Sequence, residues 1–145
     1  MRKAGLVLAL VCSLALPATA SAATIELDGG VVGQPKSRAQ ITVTKTHHRL
    51  ERVTKLVFSK LNVLCEDGTG GRISGHVTRS FAIRGKEFTR KSKIDATGIR
   101  KGYFKAAGRF RRGGRSATGR VRFAFKLGSG TGCGTGEVRW KASKR

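Results

Sequence analysis

Acidic side chains, proline, cysteine and stacking aromatics are all scarce in this chain, and each scarcity argues against a class of protein. Eight Asp and Glu stand against 30 Lys and Arg, a formal charge of +22. Glu26, Asp28, Glu51, Glu87, Asp95 and Glu137 are scattered, and Glu66-Asp67 is an adjacent pair in a glycine turn. None of these reads as the paired acid and base of a glycosidase. Three cysteines and three histidines show neither C-x-x-C spacing nor an H-E-x-x-H pattern, so no zinc framework is expected. His47 and His48 are neighbours, and neighbours on a strand point to opposite faces, so they do not share an ion; His76 stands apart. One Trp and one Tyr leave little for a glycan or single-strand nucleic-acid face built on stacked rings. Pro35 is the last proline, and beyond it the chain is punctuated by glycine.

The apolar run of greatest length is N-terminal. Arg2 and Lys3 precede an apolar stretch from Gly5 to Leu16, Pro17 ends it, and Ala20-Ser21-Ala22 puts small residues at −3 and −1 of a cut before Ala23. This is the pattern of a secretory signal peptide over residues 1–22. The stretch is too short to span a bilayer comfortably, so no membrane span is expected after cleavage. Lipidation at Cys12 would require a small residue where Val11 stands. Cleavage discards Cys12 and leaves Cys65 and Cys133 as the only thiols. Two cysteines of an exported chain pair with each other far more often than they bind metal or stay reactive. Closing their loop of roughly 70 residues removes denatured-state entropy worth about 4 kcal/mol.

About 123 residues remain, enough for one domain with a modest core. Without Arg2 and Lys3, 28 basic side chains face 8 acidic ones, a formal charge of +20. Such a charge keeps a chain soluble and monomeric and draws it to polyanions, although a GC-biased genome yields the same Arg-, Gly- and Ala-rich composition without selection for binding.

Period-two alternation dominates the rest. Val121, Phe123, Phe125 and Leu127 alternate with Arg120, Arg122, Ala124 and Lys126. Val138, Trp140 and Ala142 alternate with Glu137, Arg139 and Lys141, and Phe104, Ala106, Gly108 and Phe110 with Lys105, Ala107, Arg109 and Arg111. Each is a strand with an apolar inner and a basic outer face, which puts Trp140 in the core, near the disulfide, and leaves Tyr103 as the outward aromatic. Ile73, Gly75, Val77, Phe81 and Ile83 form a fourth run in which Arg79 falls on the apolar side, so a bulge or a change of facing is expected there. Leu50, Val53, Val57, Leu61 and Leu64 recur at helical spacing. Yet Val57, Leu61, Val63 and Cys65 share parity, and the β-branched content and adjoining Ile41-Thr42-Val43-Thr44 favour a strand. Frequent glycine turns between such short runs indicate antiparallel hairpins. Gly128 to Gly136 lacks the lysine and the following helix of a phosphate loop and reads as a turn pinned by Cys133.

Leu61-Asn62-Val63-Leu64-Cys65-Glu66-Asp67-Gly68, the Gly102 to Phe110 alternation, Ala117-Thr118-Gly119, and Cys133 through Ala142 together resemble a group of basic exported proteins of high-GC Gram-positive bacteria. These proteins resemble one another in a C-x-D-G turn and a C-x-[TS]-G-x-V-x-W ending. The likeness runs from Val53 to Ala142. It implies a β-sandwich-like domain with the cysteines bridged, and it implies no activity.

The chain is therefore expected to be all-β, an antiparallel sandwich or distorted barrel. The expected division is a leader at 1–22, a first strand (Thr24 to Leu27) and polar loop at 23–37, a disulfide-closed domain at 38–142 and a basic tail at 143–145. The expected role is a secreted or wall-associated, non-enzymatic protein that meets anionic cell-wall polymer, or another polyanion, by charge and uses no cofactor. Lys105, Arg109, Arg111, Arg120, Arg122, Lys126, Arg139 and Lys141 are the candidate contacts. A polysaccharide hydrolase and a structural or partner-binding module are the alternatives. Carboxylates gathered in a cleft would mark the first alternative and an exposed apolar patch the second.

Overall fold

The computed structural model describes residues 21–94 and 96–145. Nearly all of the segment read as a leader, with Cys12, lies outside them, as does Asp95. The described residues form ten strands: β1 Ala23–Val31, β2 Gln34–Thr46, β3 Arg49–Cys65, β4 Gly70–Val77, β5 Phe81–Ala82, β6 Glu87–Lys93, β7 Ile99–Arg111, β8 Ser116–Leu127, β9 Gly132–Gly134 and β10 Val138–Lys144. The hydrogen-bonded order β10-β1-β2-β3-β9-β8 returns to β10 and closes a six-stranded antiparallel barrel. Of the two architectures the alternation allows, the protein adopts the barrel. Strands β7 and β6 continue from β8, while β4 and β5 pair with β3. Among the described residues no helix is long and apolar enough to cross a membrane.

The alternation in β7, β8 and β10 does what its parity predicts. Phe104, Ala106, Phe110, Val121, Phe123, Trp140 and Ala142 are buried, with the intervening Lys and Arg exposed. Trp140 meets Phe58 edge-on at 5.9 Å and stacks on Phe88 at 6.2 Å. It does not lie near the disulfide. Trp140 is opposite Gly119 on β8 and Cys133 is opposite Phe125, six residues along the same strand, which separates them by about 20 Å at ~3.3 Å per residue.

Residues 50–64 lie within the 17-residue strand β3, and three bulges account for their helix-like spacing. The register against β2 skips Glu51 and also Thr54, whose hydroxyl donates to the Thr42 carbonyl at 3.2 Å, and the register against β4 slips between Phe58 and Leu61, where Lys60 takes a φ of 58°. Each extra residue reverses the parity of the strand beyond it, so the buried side chains are Val53, Leu56, Phe58, Leu61 and Val63. Val57 faces outward from the core rather than into it.

Several boundaries differ from the expectation. The polar stretch 28–37 is not a loop: β1 runs to Val31, Val32 and Gly33 make the turn, and β2 begins at Gln34. Gly29 is paired on both sides, with Ala39 and Ala142, and glycine is needed there because a Cβ would fall 1.8 Å from the Lys141 carbonyl oxygen. The basic tail is the end of β10, with Lys144 opposite Leu27 and the Arg145 guanidinium paired with Asp28. The glycine-rich stretch 128–136 contains β9, which pairs with both β3 and β8 and completes the barrel. At Arg79 the chain leaves the sheet between β4 and β5, so that side chain is exposed and no charge enters the core.

Candidate anion-binding face

Strands β6, β7, β8 and β10 present one outer surface, and register decides which cations share it. Lys91 on β6 is opposite Lys105 on β7, and Lys105 is opposite Arg122 on β8. The three form a row across the strands, all exposed, with neighbouring Cβ atoms about 5 Å apart. In parallel rows Arg120 is opposite Arg139, and Arg109 and Lys141 flank Thr118. The structure thus gathers Lys105, Arg109, Arg120, Arg122, Arg139 and Lys141. Arg111 and Lys126 lie at opposite ends of their strands, Lys126 facing Lys101 and Arg111 facing Ser116.

Two described carboxylates share this face, and each holds an arginine: Glu87 pairs with Arg109 at 2.7 Å and Glu137 with Arg120 at 3.0 Å. Both pairs are well exposed and worth at most about 1 kcal/mol each. Among the described residues no carboxylate reaches Lys91, Lys105 or Arg122. Like charges directly opposite one another destabilise a sheet by a few tenths of a kcal/mol to about 1 kcal/mol. A row of three is therefore a charge density that an external anion would relieve.

Beside the row the surface sinks into a groove of about 500 Å³. Its cause is local. Tyr103, Ala124, Gly134 and Leu64 are consecutive partners across β7, β8, β9 and β3, and the two middle residues have almost no side chain. Tyr103 and Leu64 become walls, Leu64 with 68% of its surface exposed. Arg122 stands at one end and Lys101 and Lys126 at the other. Glu66 is the one carboxylate among the described lining residues, and its Oε2 accepts the Gly132 N–H at 3.2 Å. The ammonium of Lys91 sits 4.7 Å from the Tyr103 ring centroid, which fixes the ring beside the cationic row.

The cysteine pair joins two elements of this region. Cys65 at the end of β3 is opposite Cys133 in β9, their Cα atoms 4.0 Å apart, and the disulfide is formed. Lys91, Lys101 and Leu64 are contributors that the sequence pattern does not single out. For Lys91 the period-two signal is weak, since the inward positions of β6 are Phe88, Arg90 and Ser92. Arg90 turns inward and covers the Phe81 ring at 5.5 Å. No family model, curated protein or solved structure matches the chain.

Proposed function

We propose that this is an exported, monomeric, non-enzymatic protein that holds an anionic polymer across the outer face of β6, β7, β8 and β10. The observation that carries the reading is the row Lys91–Lys105–Arg122, three cations in register with the neighbouring carboxylates already engaged by Arg109 and Arg120. A polymer crossing the strands there meets a positive charge about every 5 Å, and the adjoining groove offers the Tyr103 ring and the Leu64 side chain to the flat face of one unit. Binding of this kind is driven by counterion release and discriminates little between polymers of equal charge density.

The test is the salt dependence of heparin or wall teichoic acid binding. Affinity falls steeply with added salt, and Lys105→Gln with Arg122→Gln lowers the slope of log K against log salt by roughly 2. The control Lys55→Gln with Arg72→Gln, on β3 and β4, leaves more of the affinity intact. Equal losses in both double variants would mean that net charge alone binds and that the row has no special part. Affinity insensitive to salt would overturn the reading altogether.

A further inference from the structure

At the end of the barrel where β7 turns into β8 there is a second cavity, separate from the groove and of different character. It holds about 320 Å³. Its apolar lining comes from Leu50, Ile83 and Phe110, and its cations are Arg49, Lys86, Arg111 and Arg112. Among the described lining residues none carries a carboxylate. We propose that this cavity binds a small amphipathic anion, a carboxylate or phosphate head on an apolar body, with the head among the four cations and the body against Leu50, beneath which Ile83 and Phe110 close the floor.

Three features support the assignment. The cavity is kept open by the turn at Arg112–Gly114, whose three residues all have positive φ (52°, 64° and 91°). A Cβ on Gly114 would lie 2.7 Å from Leu50 Cδ2, so any other residue there would push into the wall. The opposite rim is the turn at His47 and His48, again both at positive φ, a conformation that non-glycine residues adopt at a cost. Four of the described lining residues are thus cations, all exposed, set around apolar carbon with no carboxylate among them, an arrangement that favours an anion. Guanidinium groups match the planar geometry of carboxylate and phosphate oxygens by paired hydrogen bonds. The recess is less open than the groove on the outer face of the sheet, and its size suits a ligand of about ten heavy atoms, at the ~30 Å³ that a water-sized group takes, rather than a polymer. Octanoate has that size.

Titration calorimetry of the mature protein with octanoate, octyl phosphate, 1-octanol, acetate and inorganic phosphate tests this. Octanoate or octyl phosphate binds saturably at one site, with the better of the two identifying the head group. 1-Octanol, acetate and inorganic phosphate bind at least tenfold more weakly, because each lacks half of the match. Arg111→Gln with Arg112→Gln weakens the alkyl anion at least tenfold while heparin binding persists, and Lys105→Gln with Arg122→Gln leaves it unchanged. Leu50→Glu, which places a carboxylate at the mouth, abolishes it. The proposal fails if neither alkyl anion saturates, if inorganic phosphate or acetate binds as tightly as its alkyl counterpart, or if the Lys105 and Arg122 variant removes the binding. Because the two sites share no residue named in either test, loss of the polymer reading leaves this one standing, and the reverse.

Discussion

Gly108 on β7 and Gly119 on β8 lie directly opposite each other, and the indole of Trp140 occupies the space their side chains would need. A Cβ on Gly108 would fall 2.5 Å from Phe88 and 2.7 Å from Trp140, both ring atoms. On Gly119 it would fall 1.9 Å from the Ala107 carbonyl oxygen and 2.6 Å from Trp140. The two glycines are a seat for the ring, and they differ in what can give way.

Gly108→Ala therefore costs about 1–3 kcal/mol, the usual toll of overpacking, because rings can shift by a few tenths of an ångström. Gly119→Ala costs more, since a backbone oxygen held in the β7–β8 ladder cannot move without breaking that pairing. Urea unfolding of both variants gives the comparison. Equal destabilisation would show that the ring, rather than the backbone, sets the limit at both sites.

Trp140 is 1% exposed and packed between Phe58 and Phe88. Trp140→Ala should cost roughly 3–5 kcal/mol, a large share of the stability of a domain this size. As the only tryptophan it also reports on itself: native emission should be blue-shifted and poorly quenched by iodide or acrylamide. A solvated emission spectrum combined with a well-folded alanine variant would refute the inward facing of β10.

Much of the fold is legible where one face of a strand is apolar and the other basic, because parity then dictates which side is buried. Parity alone assigns Phe104, Phe123 and Trp140 to the core, and they lie there. The pattern blurs where a bulge reverses parity, as at Thr54 and Lys60 in β3, because the spacing it leaves imitates a helix turn. It fails where strands are held by their neighbours rather than by their own alternation. Gln34 to Ser37 lies within β2 although polar, Gln34 opposite Val31 and Ser37 Oγ donating to the Lys60 carbonyl at 2.8 Å. Of the candidate face, the cations on β7, β8 and β10 are readable individually. That Lys91 completes their row and that Leu64 and Tyr103 border a common groove depends on register between strands distant in sequence, which no local pattern carries.

The turn after Cys65 contains one carboxylate with a shifted proton affinity. Asp67 Oδ1 accepts the Thr69 hydroxyl at 2.6 Å and the Thr69 N–H at 2.9 Å, and these bonds, the hydroxyl foremost, hold its carboxyl below the usual value. A carboxyl lowered on folding adds stability that is fully present above its unfolded value of about 4 and is lost as the pH falls through the folded one. Asp67 is fully exposed, so the effect on global stability is small. The site itself is the better readout: NMR titration should find Asp67 protonating below an ordinary aspartate, and Thr69→Val should move it back up. An unchanged midpoint in that variant would show that the hydroxyl is not the cause.

The barrel is closed through its shortest member. Strand β9 has three residues, Gly132 to Gly134, and contributes two paired positions to β3 and three to β8. Two of the three are glycines, which add no side-chain packing and carry the largest entropic cost of ordering, so the ladder on either side of β9 is weak by itself. The disulfide compensates by tethering Cys133 to Cys65 and shrinking the denatured ensemble, an effect of up to about 4 kcal/mol. Protein lacking residues 1–22, and with them Cys12, should accordingly have no alkylatable thiol, and reduction should lower its melting temperature strongly. Loosening should also begin locally, so that in the reduced protein the amide protons of β9 exchange well before those of the β8–β10 pairing, where six consecutive residues hold the seam around Trp140. Because Gly134 and Cys133 line the groove, polymer binding should weaken on reduction before the protein unfolds. A reduced form with unchanged melting and unchanged exchange at β9 would show that strand pairing alone closes the barrel.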